Sequence, residues 1–72
     1  MGQSWDINIS ESYYVLITHE YDMGRWKNYF TFELKLNKNH STIFSMKINS
    51  KKQGEDIVNL IKAILNKEGS IE

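Results

Sequence analysis

The segment YYVLITHEY, residues 13–21, decides the fold because it predicts a central strand with apolar side chains on both faces. Successive side chains of a strand point to opposite faces of the sheet. Val15 and Ile17 therefore face one way, and Tyr14 and Leu16 face the other way. One helix can cover only one face of a sheet, so the second face of this strand needs its own explanation.

The composition is that of a single small folded domain. Apolar residues make up 40% and charged residues 25% of the 72 residues, as in folded rather than disordered proteins. We therefore expect residues 1–72 to form one compact domain. The chain has no Cys, which excludes disulfides and thiolate metal sites and favours a reducing cytoplasm. No apolar run in the sequence is long enough to span a membrane.

The charges of the chain are balanced, with nine basic and nine acidic residues and a formal net charge of zero. Proteins that bind nucleic acid through phosphate contacts usually carry a clear basic excess. Proteins that mimic nucleic acid carry an acidic excess. The balance disfavours both classes.

Strand patterns occupy the first fifty residues. Alternating apolar and polar residues predict four strands, at about 5–9, 13–21, 28–36 and 42–49. Asp22 to Arg25 form the predicted turn between the second and third strands, since Gly24 readily takes a positive φ.

After residue 50 the apolar period becomes helical and predicts a helix at about 54–68. Its predicted core face consists of Ile57, Leu60, Ile61, Ile64 and Leu65. Val58 falls off this face, so we expect it to stay partly exposed.

Two starting points for the helix are open. Ser50 and Gln53 have the spacing of a capping box. Lys51 and Lys52 would then oppose the helix dipole, which favours a start near Gln53 or Gly54.

Strand register follows from placing all apolar sets on one face. Antiparallel pairing with Tyr21 opposite Asn28 puts Ile17 opposite Phe32. Phe32 then pairs with Met46, and Ile7 of the first strand pairs with Val15 in the same way. On the outer face this pairing places Tyr14 near Lys35 and Ile43. The predicted fold class is α+β: a four-stranded antiparallel meander (β-β-β-β-α) with one C-terminal amphipathic helix on one face.

No catalytic, cofactor-binding or metal-binding residue is predicted, and we expect no enzymatic activity. His19 would point away from Glu20 and Asp22 on a strand, so these residues do not converge on a metal. His40 lies in a loop with no acidic residue placed to orient it.

The segment KNYFTFEL, residues 27–34, is similar to the aromatic strand of RNA-recognition domains. Asn28 and Phe30 fill the two glycine positions of that motif, and Glu33 would repel phosphate. Nucleic-acid binding is therefore disfavoured.

Elimination leaves binding through the surface. Neither predicted edge strand contains Pro, so either could pair with a partner or with a second copy in a homodimer. Trp26 beside Arg25 is typical of a binding hot spot, although a place at the edge of the core is equally compatible. A cluster of three lysines lies near the helix start, at Lys47, Lys51 and Lys52. It fits either a solvated junction between strand and helix or a contact with an acidic partner. The candidate protein interface comprises Tyr14, Leu16, Arg25, Trp26, Tyr29, Ile43, Lys47, Lys51 and Lys52.

A small Asn- and Lys-rich chain without Cys, with a sheet backed by one helix, resembles small phage-encoded inhibitor proteins, anti-CRISPR proteins among them. The resemblance covers size and architecture over most of the chain. The zero net charge departs from the acidic, DNA-mimicking members. The resemblance implies an inhibitor that docks on a host defence or nucleic-acid-processing protein. The alternatives are a homodimeric accessory or structural domain of a larger assembly and, third, a weak nucleic-acid binder.

Overall fold

The computed structural model describes residues 2–69, so residue 1 and residues 70–72 of the predicted domain lie outside the described part. The α+β class, the antiparallel sheet and the C-terminal helix are confirmed. The elements are β1 (Gly2–Asn8), β2 (Tyr13–Asp22), β3 (Arg25–Trp26), β4 (Phe30–Leu36), β5 (Thr42–Ile48) and α1 (Lys51–Gly69). The first strand therefore begins three residues earlier and ends one residue earlier than predicted.

The strands lie in the order β1-β2-β4-β5, with every pairing antiparallel, and the short β3 pairs with the end of β2. All three pairings that define the predicted core are confirmed: Ile7 lies opposite Val15, Ile17 opposite Phe32, and Phe32 opposite Met46. The apolar sets of the four long strands consequently share one face, which we call the inner face. The opposite side of the sheet is the outer face.

The predicted pairing of Tyr21 with Asn28 is wrong, because Tyr21 lies opposite Trp26. The turn that joins β2 to β3 has only two central residues, Met23 and Gly24. Asp22 therefore pairs with Arg25, and Tyr21 pairs with Trp26 two residues before Asn28. The Lys27 N–H still donates a hydrogen bond to the Glu20 carbonyl oxygen at 2.9 Å, and residues 28–29 then leave the ladder before β4 resumes the predicted register. The predicted strand at 28–36 therefore begins two residues later, as β4, and β3 forms in a segment for which no strand is predicted.

Among the side chains that the structure describes, five form the core and are at most 2% exposed: Val15, Ile17, Phe32, Ile48 and Val58. Four of them come from three strands and one comes from the helix. Burial of Val58 contradicts the sequence-based expectation that it stays partly exposed. Leu60 was predicted to lie in the core but is 62% exposed, and Ile64 is also exposed.

Gly54 explains why the helix presents a different face from the predicted one. A Cβ atom at this position would lie 2.6 Å from Cδ1 of Ile17 and 2.9 Å from Cδ1 of Ile48. The helix therefore approaches the sheet most closely at Gly54, where no side chain intervenes. Val58 and Ile61 follow at i+4 and i+7 and pack beside it, which turns Leu60 and Ile64 away.

The helix begins at Lys51, not near residue 54 as predicted, because the capping arrangement at Ser50 forms. Ser50 Oγ accepts a hydrogen bond from the Gln53 N–H at 3.1 Å, and Gln53 Oε1 accepts one from the Asn49 N–H at 2.7 Å. Two backbone donors at the helix start are thereby satisfied.

Two ion pairs along the helix offset the unfavourable position of its first lysines. Lys51 Nζ lies 3.0 Å from Glu55 Oε2, and Lys52 Nζ lies 3.2 Å from Asp56 Oδ2. Each i,i+4 pair on an exposed helix contributes about 0.3–0.5 kcal/mol. The cap and these pairs together allow the helix to start one turn before the acidic residues.

The helix covers only part of the inner face. The Cα trace is elongated, with extents of 53 × 25 × 15 Å and a radius of gyration of 13.6 Å, against about 11 Å for a compact chain of this length. Phe44, which lies on the inner face opposite Leu34, is 52% exposed. Nowhere in residues 2–69 is there a helix with both the length and the apolarity that a membrane span requires.

Replacing Gly54 with alanine should lower the free energy of unfolding by about 1 kcal/mol. Alanine gains about 1 kcal/mol of helix propensity, but overpacking a filled core loses about 1–3 kcal/mol, and Ile17 is fully buried. Urea denaturation followed by circular dichroism measures the change. Adding Ile17→Val removes the atom nearest the new methyl group. The free energy of unfolding of the double variant should therefore fall by less than the sum of the decreases in the two single variants. A Gly54→Ala variant more stable than the wild type would contradict this packing.

Candidate protein-binding surface

The β2–β3 hairpin ends in a turn whose two central residues both have positive φ, 56° at Met23 and 82° at Gly24. Such type I′ turns strongly favour Asn, Asp or Gly. A methionine in the left-handed region is unfavourable by about 1–2 kcal/mol, and Met23 regains nothing by burial because it is 90% exposed. A large apolar side chain is thus held in solvent at an unfavourable backbone position. Sequence reasoning located the turn through Gly24 and missed Met23.

Aromatic stacking supports the base of this turn. The Trp26 ring stacks on His19 with centroids 4.7 Å apart, and Tyr21 meets Trp26 edge-on at 5.1 Å. On its other side His19 stacks on Phe30 at 3.9 Å, and Phe30 packs against the core. A column of three rings therefore connects the exposed Trp26 to the core and fixes its position.

His19 holds the column in place through its ring nitrogen. Nε2 donates a hydrogen bond to the carbonyl oxygen of Lys27 at 2.8 Å. This bond ties β2 to the segment that leaves the ladder after β3. Its contacts give His19 a structural role at the rim of the inner face.

The end of the hairpin brings three predicted interface residues together. Arg25, Trp26 and Tyr29 line one open cleft of about 460 Å³, together with Met23. The charges nearby are mixed, since Asp22 lies opposite Arg25 in the ladder. We call Tyr21, Met23, Arg25 and Trp26 the hairpin tip.

The outer face offers a weaker surface than the sequence predicts. Leu16 is half-buried, and its neighbours across the strands are Asp6 and Glu33. Acidic groups therefore flank its side chain on both sides, and no wide apolar patch forms around it.

Tyr14 on the same face is engaged within the chain. Its hydroxyl shares a hydrogen bond of 3.0 Å with His40 Nδ1. It lies opposite Lys35 as predicted, but the predicted proximity to Ile43 is not supported by the ladder. A bulge places Thr42, not Ile43, opposite Lys35.

The predicted basic cluster is divided between two sides of the molecule. Lys47 Nζ lies 4.5 Å from the centroid of the Tyr29 ring. Lys51 Nζ lies 5.3 Å from the Trp5 ring, in addition to its pair with Glu55. With Lys52 bound to Asp56, each lysine already contacts a group of this chain, which weakens the case for a shared acidic partner.

Neither a metal site nor a similarity to known proteins assigns a function to this surface. Among residues 2–69, no group of three or more His, Asp or Glu side chains is arranged to hold a metal ion. In comparisons with known proteins, no family model, no curated protein and no solved structure matches the chain.

Proposed function

We propose that this chain is a small non-enzymatic protein-binding module that contacts its partner chiefly through the hairpin tip. The observation that carries the proposal is that Met23 is 90% exposed while its backbone has a positive φ, which is unfavourable for methionine. Unfavourable conformations of this kind persist mainly where function requires them.

The residue types at the tip suit this role. Tyr, Trp, Met and Arg are enriched at the centres of protein interfaces. Trp26 is 44% exposed, yet its ring is fixed by the stack on His19. A side chain that is already ordered loses little entropy on binding, which raises the affinity that its contacts can provide.

The tip favours a partner with an apolar pocket for Met23 and an acidic group near Arg25. From the resemblance to phage-encoded inhibitors, we propose a host defence or nucleic-acid-processing protein in the cytoplasm as this partner. Inhibition would then follow from steric occupation of the partner's surface, without chemistry by this chain.

The substitution Met23→Asn tests the proposal because it should change folding and binding in opposite directions. Asparagine tolerates positive φ, so the variant should be more stable than the wild type, by about 1 kcal/mol. Loss of the side chain that enters the pocket should weaken binding about tenfold or more. A partner isolated with the wild-type chain and then purified allows both dissociation constants to be measured by calorimetry.

Leu60→Asn is the matched control, since it also replaces an exposed apolar side chain with asparagine but lies on the helix. It should leave binding unchanged. A partner that binds Met23→Asn as tightly as the wild type would show that the tip is not the docking site.

A further inference from the structure

β5 is an edge strand whose outer side is open. Within residues 2–69 it pairs with β4 alone, and no strand covers its other side. An open edge presents unpaired N–H and C=O groups that can pair with another chain. The strand contains no Pro to prevent this.

The two edges of the sheet differ in what they expose. β1 presents Gln3, Ser4 and Asp6 to solvent, and its apolar side chains are half-buried. β5 exposes Ile43 and Phe44, both at least half accessible. β5 therefore carries two exposed apolar side chains at its edge of the sheet, whereas β1 carries none.

Lys47 is the charged residue of β5 that would be expected to prevent pairing at this edge, because lysine on an edge strand disfavours pairing with another chain. Its ammonium group instead lies 4.5 Å from the Tyr29 ring. Tyr29 immediately precedes β4, so the lysine leans toward the neighbouring strand and away from the open side.

We propose that two copies of this chain associate through antiparallel pairing of β5 with β5 of the second copy, with the two-fold axis at Ser45. In this register Phe44 faces Met46 of the second copy on the inner face, and Ile43, which the bulge in β5 leaves without a partner in β4, lies at the position opposite Lys47. Both exposed apolar residues of the strand then lie within the paired region. Moving the axis to Met46 would place Ile43 opposite Asn49, which lies beyond the strand.

Charge and size favour a second copy as the occupant. The register brings no two like charges together, and the net charge of zero causes no repulsion between copies. The described part of the chain has five buried core side chains and therefore little core of its own, and oligomerisation is a common way for small domains to gain stability. Pairing would join the four long strands of each copy into one continuous sheet and remove an open edge from each.

The substitution Ser45→Lys tests the pairing by placing two lysines next to each other at the axis. Within one copy Ser45 is exposed and lies opposite Glu33, so the introduced lysine suits the isolated chain. Sedimentation equilibrium over a range of concentrations should give a mass of twice 8.5 kDa for the wild type. The association constant of Ser45→Lys should be at least about tenfold lower.

Ser4→Lys is the control, with the same change of charge at an exposed position of the other edge strand. It should associate as the wild type does. A wild-type chain that stays monomeric at millimolar concentration would overturn the proposal. So would loss of association in Ser4→Lys with retention in Ser45→Lys, which would assign the contact to β1.

Discussion

Phe32→Ala is expected to lower the free energy of unfolding by about 3–5 kcal/mol, the range for truncating a buried aromatic side chain. Phe32 is 1% exposed and lies between Ile17 and Met46 in the ladder. Its removal leaves a cavity at the centre of the inner face, where strands on both sides keep the backbone from closing it.

This loss is large because a domain of 72 residues has a total stability of about 4–11 kcal/mol. We expect the variant to be partly unfolded at 37 °C. Urea denaturation followed by tryptophan fluorescence measures the change, since the Trp5 side chain packs against the core.

Leu16→Ala is the control for this experiment. Leu16 lies on the outer face and is only half-buried, so its truncation should lower the free energy of unfolding by only about 1 kcal/mol. Equal losses at the two positions would mean that the outer face is a second core and that the assignment of the faces is wrong.

Val58→Asp is expected to unfold the protein, because it places a carboxylate in the contact between helix and sheet. Val58 is 2% exposed, and no buried polar or charged residue is found among the described residues to pair with the new group. Burying an unpaired charge is unfavourable by several kcal/mol, which is comparable to the whole stability of the domain.

The same substitution at Leu60 distinguishes the observed helix face from the predicted one. Leu60 is mostly exposed, so Leu60→Asp should change stability by less than about 1 kcal/mol. Circular dichroism and thermal denaturation of both variants give the comparison. If Leu60→Asp unfolded the protein and Val58→Asp did not, the helix would pack as the apolar spacing alone suggests.

The sheet was predictable because the long strands place an apolar set at alternate positions, most regularly in β1 and β4. The core requires the apolar side chains of all strands on one face. A register shift of one residue in the pairing of Ile17 with Phe32 would therefore turn the apolar side chains of a whole strand to the opposite face. Three registers therefore followed from the sequence. The turn at Asp22 to Arg25 was located through Gly24, but the conformation of its first central residue was not, since nothing in the sequence marks Met23 as a residue that takes positive φ.

The orientation of the helix depends on tertiary contact, which the sequence periodicity does not contain. Counting apolar residues placed Leu60 and Ile64 in the core and left out Gly54, which contributes no apolar side chain. In the folded chain Gly54 decides the orientation because its lack of a Cβ allows close approach to Ile17 and Ile48.

The candidate site was predictable in part for a related reason. Trp26 and Arg25 stand out by residue type and lie at the hairpin tip together. The stack of Trp26 on His19 joins residues seven positions apart and depends on the two-residue turn that brings β3 beside β2. Phe44 lies on the inner face by its parity, and its exposure results from the limited reach of the helix over that face.

The meander has a kinetic consequence for the growing chain. Each long strand pairs with the long strand next to it in sequence, so every ladder closes a short loop at a small entropic expense. Topologies with such local contacts fold fast, and the sheet can therefore assemble as soon as residue 48 is available. Val58 and Gly54 arrive only with the helix, so Ile17 and Phe32 remain accessible to solvent, and to other nascent chains, until residues 51–69 have been synthesised.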